Sequence, residues 1–445
     1  MENNETTLKA NSISKLDVII MAICAAGPVM CLSGSLGDIM SGSGTAAALA
    51  FLLATVVLIL VGSSFGQLSA RYNSAGGTYA YVRSVFGERT GFVAAWLNMG
   101  VTICTGVIGA VFSTYLHELV PAIPMWVGIL ILLIPIFFIG WRGVEMSTKV
   151  LIVVWVVQMA LILYPAFHIW SMNPDDISNI LGNSSQAFTP GNGMSGLMLA
   201  VLVCVWCYVG FEGPAYMGEE LKGGNKAVKF AIPVSAIGIG VVYAISCWAW
   251  TGSMDMSNPA VAEIVNSGSD TLMVDYCNLV GYTLGGKLVS IAALVSCIGC
   301  FIAFATTSPR GLFDMGRNGY LPASTAKVNK YQTPSVSLVV YCIAWLAAAL
   351  YGAYGNMSHL FTFMAIFASA TYIMICAANI KDRWNEKGFK SFLQDKLLPL
   401  IAIAILVYMI VSSDASSLLA TGIWLVGCIV AAFIWYAARK SKKGV

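Results

Sequence analysis

The sequence predicts an all-α integral membrane protein with 12 transmembrane helices and both termini cytoplasmic. Three observations carry that prediction. Of the 445 residues 58% are hydrophobic and only 10% are charged, where an ordinary soluble domain carries ~25% charge. The first apolar stretch, "DVIIMAICAAGPVMCLSGSLGD", has no charge from Val18 to Gly37, enough helix to cross about 30 Å of hydrocarbon. Counting spans from a cytoplasmic N-terminus, every one of the 24 Lys and Arg residues except Lys287 falls on the inner side, the bias that fixes orientation in short loops.

The same charge-free test places the spans at about 17–40, 44–68, 91–116, 122–141, 147–170, 195–218, 230–253, 284–309, 334–354, 358–379, 397–412 and 416–437. The N-terminal "MENNETTLKANSISK" lacks the basic start and cleavage site of a signal peptide, so the first span is expected in the mature chain. Eleven of the 12 cysteines lie inside these spans, with only Cys277 near the outer face. No close Cys/His cluster suggests a metal site, and no disulfide framework is indicated. A net charge of +3 reflects the inner loops and not a nucleic-acid surface, and no GxxxxGK loop is present for ATP. Neither HExxH nor GxSxG occurs, so the sequence offers no constellation for an intramembrane enzyme. The longest polar stretches are too short to build a core of their own. Whatever the chain does is therefore expected to reside in the helical bundle, with the lipid bilayer as its surroundings and no cofactor.

Two spans are interrupted in the same way. Span 1 carries "AAGPVM" at its centre, and span 6 carries "VGFEGPAYMGEELK", with Gly210, Gly213 and Pro214 around Glu212. The two breaks are five spans apart, an odd number of crossings, so the second unit enters the membrane from the opposite side. That is the arrangement of an inverted repeat, and paired Gly/Pro-interrupted spans at corresponding places are the best sequence pointer to a transporter's binding site. Backbone released from a helix persists in a membrane only where protein or a water-filled cavity satisfies it.

Three further stretches carry a family resemblance: "SARYNSAGGTYAYVRSVFGERTGFVAAW" after span 2, "VGFEGPAYMGEELK" in span 6 and "MGRNGYLPASTAKVNKYQTPSVSL" after span 8. In order and placement they resemble the amino acid-polyamine-organocation (APC) transporter family. The tail "LLPLIAIAILVYMIVSSDASSLLATGIWLVGCIVAAFIWYAARK" is similar to the putrescine permease branch. The resemblance implies a five-plus-five inverted repeat of the LeuT-like kind. It divides the chain into a tail 1–15, a first repeat 16–170, a second repeat 195–380, spans 11 and 12 at 395–437, and a tail 438–445. It implies alternating access in the cytoplasmic membrane for an amino acid or related biogenic amine. Proton-coupled symport is the expected mode, with precursor/product exchange or polyamine import as the alternatives, and a monomer or homodimer as the assembly.

Aligned with the arginine/agmatine antiporter of that family, the span 1 break falls at Ala26, Gly27, Pro28, Val29, Met30 and Cys31. Pro28 offers no N–H, so capture of a carboxylate would fall to the amides around Val29, Met30 and Cys31, where the helix dipole favours an anion. The same alignment makes Trp206 an occluding aromatic able to cover a bound amine by cation–π attraction. It gives Val209 and Gly210 as carbonyl donors of lone pairs to an amino group, Phe304 as a second aromatic and Thr105 as a polar side chain facing the substrate. Glu212 is the carboxylate buried well inside a span, a functional group by default. It either relays a proton or gates by holding unwound backbone. Gln158 stands where some relatives place a coupling Lys, and it has no charge to switch. Gly299-Cys300 replaces a Ser/Thr pair near the usual second sodium site, with Thr306 and Thr307 close by.

Overall fold

The computed structural model describes residues 14–72, 76–143, 148–172, 188–217, 221–222, 224–413 and 415–442. Most of the predicted N-terminal tail, the greater part of the first long outer loop and the last residues of the chain lie outside that set. Apart from an isolated bridge between Val328 and Pro334, the regular structure of the described residues is helical, and eleven helical segments among them are long and apolar enough to cross a membrane.

Span 1 begins with a reciprocal cap: Ser14 Oγ accepts from the Asp17 amide at 3.2 Å, and the Asp17 carboxylate accepts from the Ser14 amide at 3.1 Å. These bonds satisfy two of the donors that every helix start leaves open. Helix α1 (Lys15–Ala25) then stops, and α2 (Pro28–Ser43) restarts after Gly27 at φ 52°. Glycine takes this left-handed conformation without a Cβ clash. Pro28 starts the second half because its missing N–H is not needed at a first helical position.

Span 2 is α3 (Ala47–Ser69), followed by a short helix α4 (Gly77–Phe86). Span 3, expected as one helix, is divided into α5 (Glu88–Cys104) and α6 (Val107–Leu119) at Thr105 and Gly106. A Cβ on Gly106 would lie 2.6 Å from the Trp345 carbonyl oxygen, so this division brings backbone against backbone. Spans 4 and 5 are α7 (Met125–Arg142) and α8 (Thr148–Ser171).

Span 6 departs most from an unbroken 195–218 helix. Only α9 (Gly193–Cys207) is α-helical; turns follow, and a single 3₁₀ turn occupies Gly213–Tyr216. Fifteen residues rise about 22 Å, short of the hydrocarbon thickness. Span 7 is α10 (Gly224–Ser253), which packs along α3. The loop after it folds into α11 (Pro259–Asn266) and α12 (Leu272–Leu279), which lie against α2. Span 8 is α13 (Thr283–Arg317), whose 35 residues rise about 52 Å. It is therefore longer than the hydrocarbon thickness alone requires. Spans 9 and 10 are α14 (Ser335–Tyr354) and α15 (Met357–Asp382). Spans 11 and 12 are α16 (Leu398–Val411), entered through a π-helical turn at Phe392–Leu397, and α17 (Ala415–Lys442).

The core sits where α2, α9, α13 and α15 meet, while α16 and α17 pack on the outside of α15. Leu400, Val411, Leu419, Phe433 and Ile434 on these last two helices remain exposed, as expected of side chains that face lipid.

Candidate substrate cavity

The two broken spans touch at their breaks. A Cβ on Gly210, which sits at φ 111°, would lie 2.8 Å from the Ala25 Cβ, and one on Gly27 would lie 2.9 Å from Cys300 Sγ. Only glycine allows this approach at positive φ. The released carbonyls are largely answered by neighbouring side chains. Tyr243 Oη donates to the carbonyls of Ala26 and Cys207, both at 2.9 Å, joining span 1 to span 6. Cys300 Sγ donates to the Ala25 carbonyl at 2.8 Å and Cys31 Sγ to that of Ala26 at 3.1 Å. The Met30 amide donates to Ser296 Oγ at 3.0 Å, and the Cys31 amide returns to the Gly27 carbonyl at 2.8 Å.

Between the breaks lies a cavity of about 10 Å³ lined by Ala25, Ala26, Met30, Cys31, Thr105, Val107, Ile108, Trp206, Val209, Cys300, Phe304 and Met364. That is about the space of one water molecule. Seven of the residues expected at the substrate are on its wall: Ala26, Met30, Cys31, Thr105, Trp206, Val209 and Phe304. Gly27, Val29 and Gly210 are buried behind it, where they shape the breaks. Ala25, Val107, Ile108, Cys300 and Met364 complete the wall and had not been singled out as substrate residues.

Trp206 is 2% exposed and stacks on Phe361 of α15, ring centroids 4.4 Å apart at 9°. One face of the indole is therefore covered by protein. Its Nε1–H has no acceptor among the described residues. Thr105 Oγ1 donates to the Thr102 carbonyl at 2.6 Å, so its lone pairs stay available. The Gly210 carbonyl accepts from the Gly213 amide at 2.9 Å, while no donor among the described residues reaches that of Val209.

Glu212 lies outside the cavity wall, buried on the span 6 turn, where its Oε2 accepts from the Gly210 amide at 3.1 Å. Tyr372 of α15 stands beside the carboxyl. None of the ion pairs among the described residues includes it. Gln158, on α8, is 3% exposed and its Oε1 has no partner among the described residues. Thr306 and Thr307 both turn their hydroxyls back to carbonyls of their own helix, at 2.9 and 3.0 Å.

The three stretches that carry the family resemblance converge at one end of the bundle. Tyr79 Oη donates to Asp314, which also accepts from Arg317 Nε at 3.0 Å and Asn318 Nδ2 at 3.0 Å. Tyr216 Oη pairs with Thr78 Oγ1 at 2.9 Å and donates to Asn98 at 2.9 Å. Gly77, at φ 53°, presses so closely on the Tyr216 ring that a Cβ would lie 2.5 Å from it. The sequence profile of the amino acid permease family matches residues 13–438, nearly the whole chain.

The protein belongs to the amino acid permease family. Among its relatives, this permease is 24% identical to a methylthioribose transporter of Bacillus subtilis over 97% of its own length and 94% of the relative's. It is 24% identical to the arginine/ornithine antiporter ArcD2 of Lactococcus lactis, covering 88% of this chain and 81% of that one. It is 21% identical to the low-affinity putrescine importer PlaP of Escherichia coli, covering 84% and 82%. These names are all of transporters, and this permease is a multi-pass membrane transporter of a small molecule, not an enzyme.

Proposed function

We propose that this permease is a secondary active transporter moving an amino acid or related biogenic amine across the cytoplasmic membrane, by proton-coupled symport with alternating access. Its twelve spans would form a five-plus-five inverted repeat with spans 11 and 12 outside, and both termini would be cytoplasmic. The observation that supports this most is the cavity between the two helix breaks, where a free carbonyl, a hydroxyl and an unpaired indole N–H meet. Substrate would bind there, and Val209 and Thr105 would accept from its ammonium group.

Glu212 is the group proposed to couple protons or to gate. Its carboxylate holds the Gly210 amide, so gain or loss of a proton there changes the bonding of the span 6 break directly. Gln158 in span 5 keeps one charge state and would serve as a neutral dipole facing the bundle.

Purified protein in liposomes tests the reading. Uptake of labelled amino acids and amines is measured with and without an inward proton gradient, and with and without internal counter-substrate. Gradient-driven accumulation into empty vesicles supports symport; uptake that appears only with internal counter-substrate replaces symport by exchange. No uptake of any amino acid or amine overturns the assignment.

A further inference from the structure

From the wall of the cavity we infer that the substrate is an α-amino acid with a small uncharged side chain, apolar or thioether in kind, and not a free amine or a dication. This rests on the transport reading above and narrows it.

The first support is what the wall lacks. None of the twelve lining residues is charged, and apart from Thr105 their side chains are aliphatic, aromatic or sulfur-bearing. A second ammonium or a guanidinium placed among them would lose its hydration without a counter-charge, which is costly in an apolar enclosure. Met30, Cys31, Cys300 and Met364 put four sulfur atoms around one small space. Unbranched, polarisable thioethers adapt their shape to apolar groups, so Met30 and Met364 are the side chains able to yield as the cavity of about 10 Å³ expands around a ligand.

The second support is the unpaired donor. A buried tryptophan N–H ordinarily finds an acceptor, and the indole of Trp206 has none. Trp155 and Trp170 are unpaired too, but they are only half-buried, lie on α8 and do not line the cavity. With both cavity thiols already donating to Ala25 and Ala26, Trp206 is the wall's one side-chain donor without an acceptor among the described residues. An amino acid brings a carboxylate oxygen to meet it. An amine brings only further donors, which would leave the indole unpaired. The ammonium common to both finds the Val209 carbonyl and Thr105 Oγ1.

The test compares L-methionine and L-leucine with their decarboxylated amines, 3-(methylthio)propylamine and isoamylamine, alongside arginine and putrescine. Binding to the purified full-length protein is measured by calorimetry. The amino acids should bind at least about tenfold tighter than the matched amines, since a site with a buried unpaired donor rejects ligands that cannot satisfy it. Trp206→Phe, which keeps the ring and removes the N–H, should shrink that ratio to below about threefold. If this variant does not fold, the wild-type comparison decides by itself. Amines binding as tightly as their amino acids, or an unchanged ratio in Trp206→Phe, overturns the inference. Putrescine or arginine binding tightest also overturns it while leaving the transport reading intact; if no compound in the panel binds, the inference falls, and the transport reading is then decided by the uptake assay alone.

Discussion

Gly210 rests directly on Ala25, so close that a single added methyl would lie 2.8 Å from the alanine Cβ. This contact joins the break of span 6 to the end of the first half of span 1, and the cavity opens beside it. Gly210→Ala should therefore fail twice, by the clash and by the positive φ of 111°. The backbone strain alone is worth roughly 1–3 kcal/mol. Thermal unfolding in detergent should show a clear loss of stability, with transport reduced beyond what the remaining folded fraction explains. Wild-type stability and turnover in this variant would mean the two breaks do not depend on their contact.

Trp206 and Trp155 provide a matched pair. Both indoles are unpaired, but only Trp206 lines the cavity and stacks on Phe361. Trp206→Ala should weaken binding of a transported substrate by about tenfold or more, while Trp155→Ala leaves the Kd within about twofold. Equal effects would return Trp206 to a packing role.

Glu212→Gln keeps an oxygen able to accept from the Gly210 amide, so the fold should survive. If the carboxyl couples protons, the pH dependence of uptake should flatten and a proton gradient should no longer drive accumulation. A normal turnover with an unchanged pH profile would leave the side chain a brace for the span 6 break.

At the end of the bundle opposite the Tyr79–Asp314 cluster, the loop between α11 and α12 presses on α2. A Cβ on Gly37 would lie 2.3 Å from the Ser269 carbonyl oxygen, and Tyr115 Oη donates to the carbonyls of both Ser33 and Asp270. Asp38 accepts from Ser358 at 2.7 Å, and Asp275 accepts from Ser269 and Thr271. Burial, and then the neighbouring Asp38 carboxyl, push Asp270 up to about 6. A carboxyl raised in the folded state favours that state when protonated. Its contribution is thus complete below the ordinary carboxylate range, near 4, and is lost as the pH rises through about 6. Asp270→Asn should remove that part of the pH dependence of melting temperature between about 4 and 7, with the gain over wild type seen at the upper end. An Asn variant whose melting curve still falls across that window would place the titration elsewhere.

The breaks were legible in the sequence because their chemistry is local. Gly27 and Gly210 adopt positive φ, and Pro28 cannot donate, wherever they stand. The Tyr79–Asp314 cluster was legible only as a family pattern: nothing in the spacing of Tyr79, Asp314 and Asn318 announces that α4 and the end of span 8 bring them together. The remaining wall was hidden for a different reason. Met364 lies on a helix with almost no amphipathic contrast, so no periodicity marks which side meets the cavity, and Val107 and Ile108 open the half-helix after a break of span 3 that was not expected. The division of span 3 at Gly106 escaped for want of a proline, since glycine alone is common in packed membrane helices.

The most direct measurement is a structure of the permease determined with a transported substrate bound. Density between the span 1 and span 6 breaks is predicted, in contact with Trp206, Phe304 and the Val209 carbonyl, with Met30 and Met364 moved outward. Substrate density elsewhere, such as the recess between α7 and α13 lined by Gly140, Thr306 and Thr333, over an unchanged central cavity, would contradict the account.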